Sequence, residues 1–394
     1  MILAHLADLH LGFRQFHRQT PGGLNQREAD VAHAFRAVID QVIAERPDVV
    51  VVAGDIFHSV RPTNPAILFA FRQFQRLREA LPTTPVVMLA GNHDSPRSVE
   101  TGSILGLFET LGIDIVSDGM RRLTWPQVPD LSILAVPDSA VRSGERNFRR
   151  EGEERYQVLL LHGAIPGLYP WEKHAPEYTG SLVTTEDLSR DKWSYVALGH
   201  YHVQREVGPG QWYSGAVDYV SPNPWGELAD EANYKVPGKG WLKVDLAKKR
   251  VERKTIKLAR RVLDLIPLDA SGRTAAEIDA MIATALETIK GGCEDQVIRQ
   301  VIRNVPRQVQ RELNYTAIRG YQAKALHFQL DLRRPEIQRQ TGVGSPGSRR
   351  TLADTVETYL RDRYLPENVE RDPFVRLGME AIRQVESDAT EAGL

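Results

Sequence analysis

The chain has 394 residues, of which 42% are hydrophobic and 26% charged, and its formal net charge is −1. This is the composition of a globular protein with a large core, and the length predicts two or three domains. The only cysteine, Cys293, excludes an internal disulfide, and no apolar run approaches the roughly 20 residues that span a bilayer. We therefore expect a cytoplasmic protein with no membrane partner. The near-neutral charge argues against a chain that is basic all over, although a local basic patch and bound cations would suffice to attract nucleic acid.

The first 111 residues alternate between apolar runs and stretches with helical periodicity. The runs at 1–7, 49–53 and 86–90 predict buried strands, and the periodic stretches predict helices over 30–45, 65–80 and 98–111. Such alternation predicts a sheet that is covered by helices.

Beyond residue 131, short apolar runs follow one another with few long helices between them. These runs lie at 131–136, 158–161, 195–198, 212–214 and 241–244. We interpret them as a second sheet packed on the first, so the predicted fold is an α/β sandwich with helices outside. The stretch 164–182 contains three prolines and is predicted to be a long surface loop.

The pattern changes again near residue 260. Thr274 and Glu277 match a capping box, and a helix is predicted from there to about Ile289. The stretches 296–303 and 325–332 alternate as strands do, with a predicted helix between them. These elements indicate a small α+β domain.

The last 54 residues have the composition of a linker followed by two amphipathic helices, at 352–365 and 375–385. Their apolar stripes would suit either a partner protein or ordinary core packing. The predicted divisions of the chain are 1–259, 260–340, the linker 341–350 and 351–394.

Five short polar segments carry the chemistry, and four of them directly follow an apolar run. They are Asp8-Leu9-His10, Gly54-Asp55, Gly91-Asn92-His93-Asp94, His162-Gly163 and Gly199-His200-Tyr201-His202. Carboxylate, amide and imidazole donors at strand ends suit two divalent cations that share a bridging carboxylate. Two such cations clamp the attacking and leaving oxygens of an in-line displacement at phosphorus, so the pattern predicts a two-metal phosphoesterase.

Three of the segments suggest individual roles for their residues. Asp8 and His10 are two apart at a strand end, so both side chains point towards one cation. Asp55 ends a buried strand and is expected to bridge, because its two oxygens can hold two cations. His93 is expected to be oriented by Asp94 and to protonate the leaving oxygen or stabilise the phosphate in the transition state. Asp94 has the alternative of capping the next helix.

The other donors are an amide and three imidazoles. Asn92 offers an amide oxygen, and His162, His200 and His202 each lie at a strand end. This mixture of oxygen and imidazole ligands favours Mn²⁺, with Fe²⁺, Zn²⁺ or Mg²⁺ as alternatives.

These motifs, in this order, resemble the calcineurin-like metallophosphoesterases. The residues around them narrow the resemblance to the SbcD-type nuclease subunit of the double-strand-break repair complex, over about residues 1–260. The segments that carry it include Ile56-Phe57-His58 with Arg61-Pro62, Gly226-Glu227 and Lys239-Gly240-Trp241.

The resemblance implies a four-layer metallophosphoesterase sandwich, with two central mixed sheets, a small α+β capping domain and a helical C-terminal tail. It also implies which residues hold each cation. The first set is Asp8, His10, Asp55 and His202, and the second is Asp55, Asn92, His162 and His200. His93 would act on the phosphate, and His58 would be a non-ligand histidine near the scissile strand.

The implied activity is that of a manganese-dependent DNA exonuclease and endonuclease, which acts at DNA ends in double-strand-break repair. Its implied partners are DNA, a second copy of the chain and an SMC-like coiled-coil ATPase of the SbcC type, in a nucleoid-associated complex. The homodimer would form through helices at 67–77 and 104–111, and the tail helices would bind the ATPase.

Two other functions stay open at this point. One is a small-substrate metallophosphoesterase, such as a phosphodiesterase or a nucleotide pyrophosphatase, which would not need the extra domain and tail. The other is a DNA-end-binding scaffold with a decayed site, against which the complete set of ligands argues.

Overall fold

The computed structural model describes residues 1–95, 102–168, 181–335, 352–363, 365 and 370–391. It divides into two compact units, Met1–Arg334 and Pro335–Leu394, and each is described by itself.

The described part of the first 255 residues contains twelve strands, five α-helices and a 3-10 helix. The strands are β1 (Ile2–Leu6), β2 (Val49–Val52), β3 (Val86–Leu89), β4 (Asp114–Val116), β5 (Arg121–Thr124), β6 (Leu131–Val136), β7 (Tyr156–His162), β8 (Tyr195–Gly199), β9 (Arg205–Gly208), β10 (Gln211–Tyr213), β11 (Gly240–Asp245) and β12 (Arg250–Thr255). The helices are α1 (Gln26–Glu45), α2 (Asn64–Ala80), the 3-10 helix (Ile104–Leu111), α3 (Asp138–Arg142), α4 (Thr185–Ser189) and α5 (Pro224–Asn233).

These strands form two six-stranded sheets of similar design. The first has the order β12-β11-β1-β2-β3-β4, and the second has the order β5-β6-β7-β8-β10-β9. Each sheet has four parallel strands, and antiparallel pairing adds the remaining strands at the edges. Because most neighbouring strands are parallel, their carboxyl ends lie at the same edge of each sheet.

The apolar residues of each central strand alternate between two cores. Val50 and Val52 of β2 pack against α1 and α2, whereas Val49 and Val51 face the second sheet. A third core covers the outer face of the second sheet, where Leu188 of α4 is fully buried. The resulting layers are helix, sheet, sheet and helix, so the predicted α/β sandwich is confirmed.

Two details differ from the sequence-based expectation. The strand predicted at 241–244 was placed in the second sheet, but β11 lies in the first, where Ile2 pairs with Asp245. This pairing joins residues that are far apart in the sequence, so local periodicity could not reveal it. Only the 3-10 helix Ile104–Leu111 is described of the helix predicted at 98–111, since 96–101 lie outside the described residues.

A smaller α+β region completes the first unit and has its own apolar core. It contains β13 (Val262–Asp264), β14 (Leu268–Asp269), α6 (Ala275–Glu287), β15 (Val297–Arg303), α7 (Arg307–Glu312), α8 (Tyr315–Lys324) and β16 (His327–Leu332). Both β13 and β14 pair with β15, and β16 pairs with β15 as well, always in parallel. The capping box of Thr274 and Glu277 starts α6 as its spacing indicates. We call β13 to β16 with α6 to α8 the capping subdomain.

The second unit contains α9 (Leu352–Asp362) and α10 (Arg371–Glu391), close to the two helices predicted there. The predicted linker 341–350 lies outside the described residues, as does most of the predicted loop 164–182, namely 169–180. Among the described residues, no helix is both long enough and apolar enough to cross a lipid bilayer.

Candidate metal centre

The polar segments singled out in the sequence meet where the carboxyl ends of the two sheets converge. Asp8 and His10 follow β1, Asp55 follows β2, Asn92, His93 and Asp94 follow β3, His162 ends β7, and His200 and His202 follow β8. The fold therefore brings together all of the predicted site residues from both sheets.

The backbone at this edge adopts a conformation that side chains rarely tolerate. Asp8, His10 and Asp55 have φ angles of 51°, 43° and 51°, and His200 has a φ of 123°. Outside glycine such angles are uncommon, and they concentrate at sites where function requires a particular direction of the side chain. Hydrogen bonds hold the turns: the N–H of Asp8 donates to the carbonyl of Gly54 at 3.0 Å, and that of His10 donates to the carbonyl of Asp55 at 2.9 Å.

Two glycines allow the segments to approach closely. A Cβ atom on Gly91 would lie 2.1 Å from Oδ1 of Asp55, and one on Gly54 would lie 2.3 Å from Nδ1 of His162. Neither neighbour has room to move, since both lie in the buried centre of the site. These positions therefore require glycine for steric reasons as well as for turning the chain.

A first group of donors consists of Asp8, His10 and His202, whose ligand atoms all lie within 4.8 Å of one another. The Nε2 atoms of His10 and His202 are 3.2 Å apart. Both carboxylate oxygens of Asp8 accept from the N–H of His200, at 3.0 and 3.1 Å, which fixes the carboxylate in place.

A second group consists of Asp55, His162 and His200, again with ligand atoms within 4.8 Å of one another. The amide oxygen of Asn92 belongs with it, because Oδ1 lies 2.9 Å from Nε2 of His162 and 3.2 Å from Nδ1 of His200. The two groups correspond to the two ligand sets that the family resemblance implies.

Asp55 lies between the two groups. Its Oδ2 is 3.6 Å from Nε2 of His10 and 3.5 Å from Nε2 of His162, while its Oδ1 accepts the N–H of His93 at 2.9 Å. One oxygen is thus fixed by the backbone, and the other faces both groups. Together with four imidazoles, a second carboxylate and an amide oxygen, this donor set fits two divalent cations of the manganese, iron or zinc type.

Burial and the charges of neighbouring residues shift the pKa values of the ligand residues. Burial and the neighbouring charges of His93 and His202 hold the pKa of His10 well below its usual value, so this ring is neutral and able to bind a cation. Burial also lowers the pKa of His162, but the charges of Asp55 and Asp8 outweigh it and leave a net rise.

For two donors of the first group, Asp8 and His202, burial and neighbouring charges also shift the pKa in opposite directions. Burial raises the pKa of Asp8 to about 6, although the charges of His162 and His202 oppose the rise. For His202, burial lowers the pKa, but the hydrogen bond and charge of Glu227 more than compensate and raise it.

The rings of His162 and His202 are each held by a contact on the side that faces away from the donor groups. Nδ1 of His162 donates to the carbonyl of Ala53 at 2.8 Å, and Nδ1 of His202 lies 3.3 Å from Oε1 of Glu227. In both rings the contact through Nδ1 directs Nε2 towards the centre. Glu227 was not predicted as a site residue; the Gly226-Glu227 pair was only part of the family resemblance, and α5 lies outside the strand ends.

His93 and His58 lie beside the first group. Nδ1 of His93 donates to the carbonyl of His58 at 2.7 Å, and Nδ1 of His58 is 3.3 Å from Nδ1 of His10. Ligand atoms of His10, His58 and His93 also lie within 4.8 Å of one another. Burial lowers the pKa of His58 to about 4, helped by the charge of His93, so His58 is neutral at physiological pH.

The expectation that Asp94 orients His93 is corrected by the structure. The carboxylate of Asp94 accepts the backbone N–H groups of Ile56, Phe57 and Gly91, at 3.0, 3.0 and 3.1 Å. It therefore ties the loop after β2 to the loop after β3, while His93 is held by a carbonyl. Burial raises the pKa of Asp94 to about 7, and the charge of Asp55 adds to this rise.

A cleft opens onto both groups of donors. Besides donors of both groups, it is lined by His58, His93, Val220, Ser221 and Pro222. A phosphate in this cleft would contact the donor groups and His93 together.

The fold and the site together define the class of metal-dependent phosphoesterases. Residues 1–235 match the calcineurin-like phosphoesterase family, and the chain belongs to that family. The prediction of a metallophosphoesterase is thereby confirmed.

The chain is also similar to proteins described as DNA double-strand break repair protein Mre11. The relative from Methanococcus maripaludis is 27% identical over 262 residues, which cover 63% of each chain. The relative from Sulfurisphaera tokodaii is 30% identical over 250 residues, which cover 62% of this chain and 59% of the relative. That from Methanocaldococcus jannaschii is 28% identical over 262 residues, 63% of each chain. The match thus spans about three fifths of the length of these relatives.

Proposed function

We propose that this protein is a DNA nuclease that hydrolyses phosphodiester bonds with two divalent cations, Mn²⁺ being the expected metal. The observation that carries the proposal is the position of Oδ2 of Asp55 between two groups of ligand atoms. The first cation would be held by Asp8, His10, Asp55 and His202. The second would be held by Asp55, Asn92, His162 and His200.

Cations bound in these two groups would supply Lewis acidity and neutralise the charge of the phosphate. Proton transfer and positioning are assigned to residues of the chain itself. His93, fixed at Nδ1 by the carbonyl of His58, lines the cleft, where its ring would protonate the leaving oxygen. His58 supports both His93, through its carbonyl, and His10, through its ring.

A basic cavity on the capping subdomain supports DNA as the substrate. Arg307, Arg311 and Arg334 line it with Gln310 and Tyr315. Within the described residues, none of the three guanidinium groups forms an ion pair with Asp or Glu. Arginine forks match phosphate geometry, so this surface suits the backbone of a nucleic acid and would counter the near-neutral charge of the whole chain.

The test compares a small substrate with DNA. The purified chain with Mn²⁺ should cleave a chromogenic phosphodiester and both single- and double-stranded DNA, and EDTA should abolish all three activities. The double variant Arg307→Glu, Arg311→Glu should lose DNA cleavage at moderate salt by about tenfold or more while it keeps cleavage of the small ester, because phosphate contacts govern affinity for DNA alone.

The alternatives predict other results in the same assay. An enzyme for small substrates would cleave the ester or a nucleotide pyrophosphate, leave DNA intact and ignore the arginine variant. A DNA-end-binding scaffold would bind DNA and cleave nothing. Either result would overturn the proposal.

We also propose the partners that the family resemblance implies: a second copy of the chain and an SMC-like coiled-coil ATPase, in a cytoplasmic complex on the nucleoid. We propose Leu68 of α2 and Leu107 of the 3-10 helix, which are 55% and 40% exposed, for the dimer surface. Phe74 and Phe108 of the same two helices are buried in the core. We propose that Tyr359 and Leu377 of the second unit, which are 61% and 69% exposed, contact the ATPase.

A further inference from the structure

We propose that Glu227, paired with Lys239, is a positioning residue that holds His202 in the orientation the first cation needs. The proposal rests on the proposed metal centre and adds to it a residue outside the ligand set. It follows from a buried cluster of charges on the side of His202 that faces away from the centre.

The cluster holds His202 at two points. Oε1 of Glu227 lies 3.3 Å from Nδ1 of the His202 ring. Nζ of Lys239 donates to the main-chain carbonyl oxygen of His202 at 2.9 Å. Lys239 also forms an ion pair with the other oxygen of Glu227. The ring and the main chain of one ligand are therefore fixed by one ion pair.

The ion pair is itself enclosed. Glu227 is 5% exposed and Lys239 is 3% exposed. Burying two charges is costly unless their hydrogen bonds are satisfied, and a hydrophobic pair would often serve stability as well. The contact with His202 gives these charges a function that a hydrophobic pair would lack.

Glu227 also fixes one wall of the cleft. Its Oε1 accepts the N–H groups of Val220 and Ser221 at 3.2 and 2.9 Å, and both residues line the cleft. The carboxylate thus joins His202 to the surface against which a substrate phosphate would lie.

The helix that carries Glu227 is anchored on its other side. Trp225 of α5 donates through Nε1 to the carbonyl of Leu263 at 3.2 Å, and its ring lies 6.2 Å from that of His327. The capping subdomain therefore supports the helix that orients the metal ligand.

A carboxylate behind a ligating histidine selects the tautomer with a proton on Nδ1 and makes Nε2 a stronger donor. The Nε2 atom of His202 already faces that of His10 at 3.2 Å, so the orientation set by Glu227 is the one that the first cation requires.

The chain offers a matched control. Glu231 lies one turn further along α5, is also 5% exposed and pairs with the same Lys239 at 3.3 Å. Its other contact is with the hydroxyl of Tyr219, which donates to it at 2.7 Å, and not with His202. Glu227→Gln and Glu231→Gln therefore remove equivalent charges, of which one touches the ligand.

The experiment is titration of both full-length variants with Mn²⁺ by calorimetry, beside the wild type. Glu227→Gln should weaken one of the two cation sites by about 10- to 100-fold and leave the other unchanged. Glu231→Gln should leave both sites within about twofold of the wild type. Equal effects of the two variants, or equal weakening of both sites by Glu227→Gln, would overturn the proposal.

A second measurement uses the wild type alone and so does not depend on how the variants fold. With Zn²⁺ bound, ¹⁵N NMR should show His202 protonated at Nδ1 and coordinated through Nε2, with His202→Asn assigning the signals. Coordination through Nδ1 would refute the role of Glu227. If the wild type binds no cation in either experiment, the proposed metal centre fails and this inference fails with it.

Discussion

The two halves of the metal centre use the same kinds of ligand but are supported in different ways. In the second group, His162 is fully buried, and its ring is fixed by the main-chain carbonyl of Ala53, at the end of the first sheet. In the first group, His202 is fixed by Glu227 and Lys239, which belong to α5 and to the segment before β11. One half therefore depends on the sheets themselves, whereas the other depends on a buried ion pair beside them.

This difference means that the two cations should respond differently to the same change. A variant outside the strands can weaken the first site without disturbing the sheets, whereas the carbonyl that orients His162 belongs to the main chain and is not removed by a side-chain substitution. Asp55 is the exception, because its Oδ2 faces both halves.

The largest effect is expected from removing that shared ligand. Asp55→Ala should lose both cations and almost all phosphodiester cleavage, whereas His10→Ala and His162→Ala should each weaken one site. Metal analysis of the purified variants measures this, with the surface variant Asp40→Ala as a control. If Asp55→Ala keeps two full equivalents of metal, the bridging assignment is wrong.

Substitution of His93, which lies beside the first group of donors, should reduce turnover without reducing metal binding. His93→Ala should keep both cations and lose turnover by roughly 10²-fold, because the variant lacks the group that we propose as the general acid for the leaving oxygen. Turnover of a chromogenic phosphodiester and metal content are measured on the same sample, with the exposed His33→Ala as a control. A parallel fall in metal content would make His93 a ligand instead.

The affinity for cations should depend on pH in both halves of the centre. The carboxylates raise the pKa values of His162 and His202 above the usual value for histidine, so each ring keeps its proton to a higher pH, and below its pKa a cation must displace that proton. Binding should release about one proton per cation, and affinity should fall about tenfold per pH unit as the pH drops below these pKa values. Calorimetry in two buffers of different ionisation enthalpy measures the release; binding without proton release would contradict the assigned ligands.

The smallest effect on the metal centre is expected from the second unit. Deleting residues 343–394 should leave metal content and cleavage of the chromogenic ester within about twofold of the full chain, because the donor groups all lie in the first unit. Co-purification with the coiled-coil ATPase, and ATP-stimulated cleavage of duplex DNA, should be lost. Unchanged binding to the ATPase would place docking elsewhere, and unfolding would show that these helices belong to the core.

The sequence was most informative where strand ends carry polar residues. The apolar runs before Asp8, Asp55 and Asn92 predicted buried strands, and an α/β sheet places its chemistry at the carboxyl ends of its strands. The donor residues could therefore be identified before any three-dimensional information, although the left-handed backbone at Asp8 and Asp55 could not.

Other features depend on contacts between distant segments. The strand β12 was missed because its residues, Arg250–Thr255, are mostly charged at the edge of the sheet. The contact of Glu227 with His202 joins a helix to a strand end, and a glutamate on a helix is ordinarily a solvated residue. Asp94 was assigned to His93 from their adjacency, but its carboxylate reaches amides of a neighbouring loop.

The pairing of β1 with β11 bears on how the protein is made. Ile2 must wait for Asp245 before the first sheet is complete, and His10 must wait for His202 before the first group of donors exists. At a synthesis rate of about 5–20 residues per second, this delay is roughly 10–50 s on the ribosome. A nascent chain therefore passes a long interval with an open sheet edge and an incomplete set of candidate metal ligands.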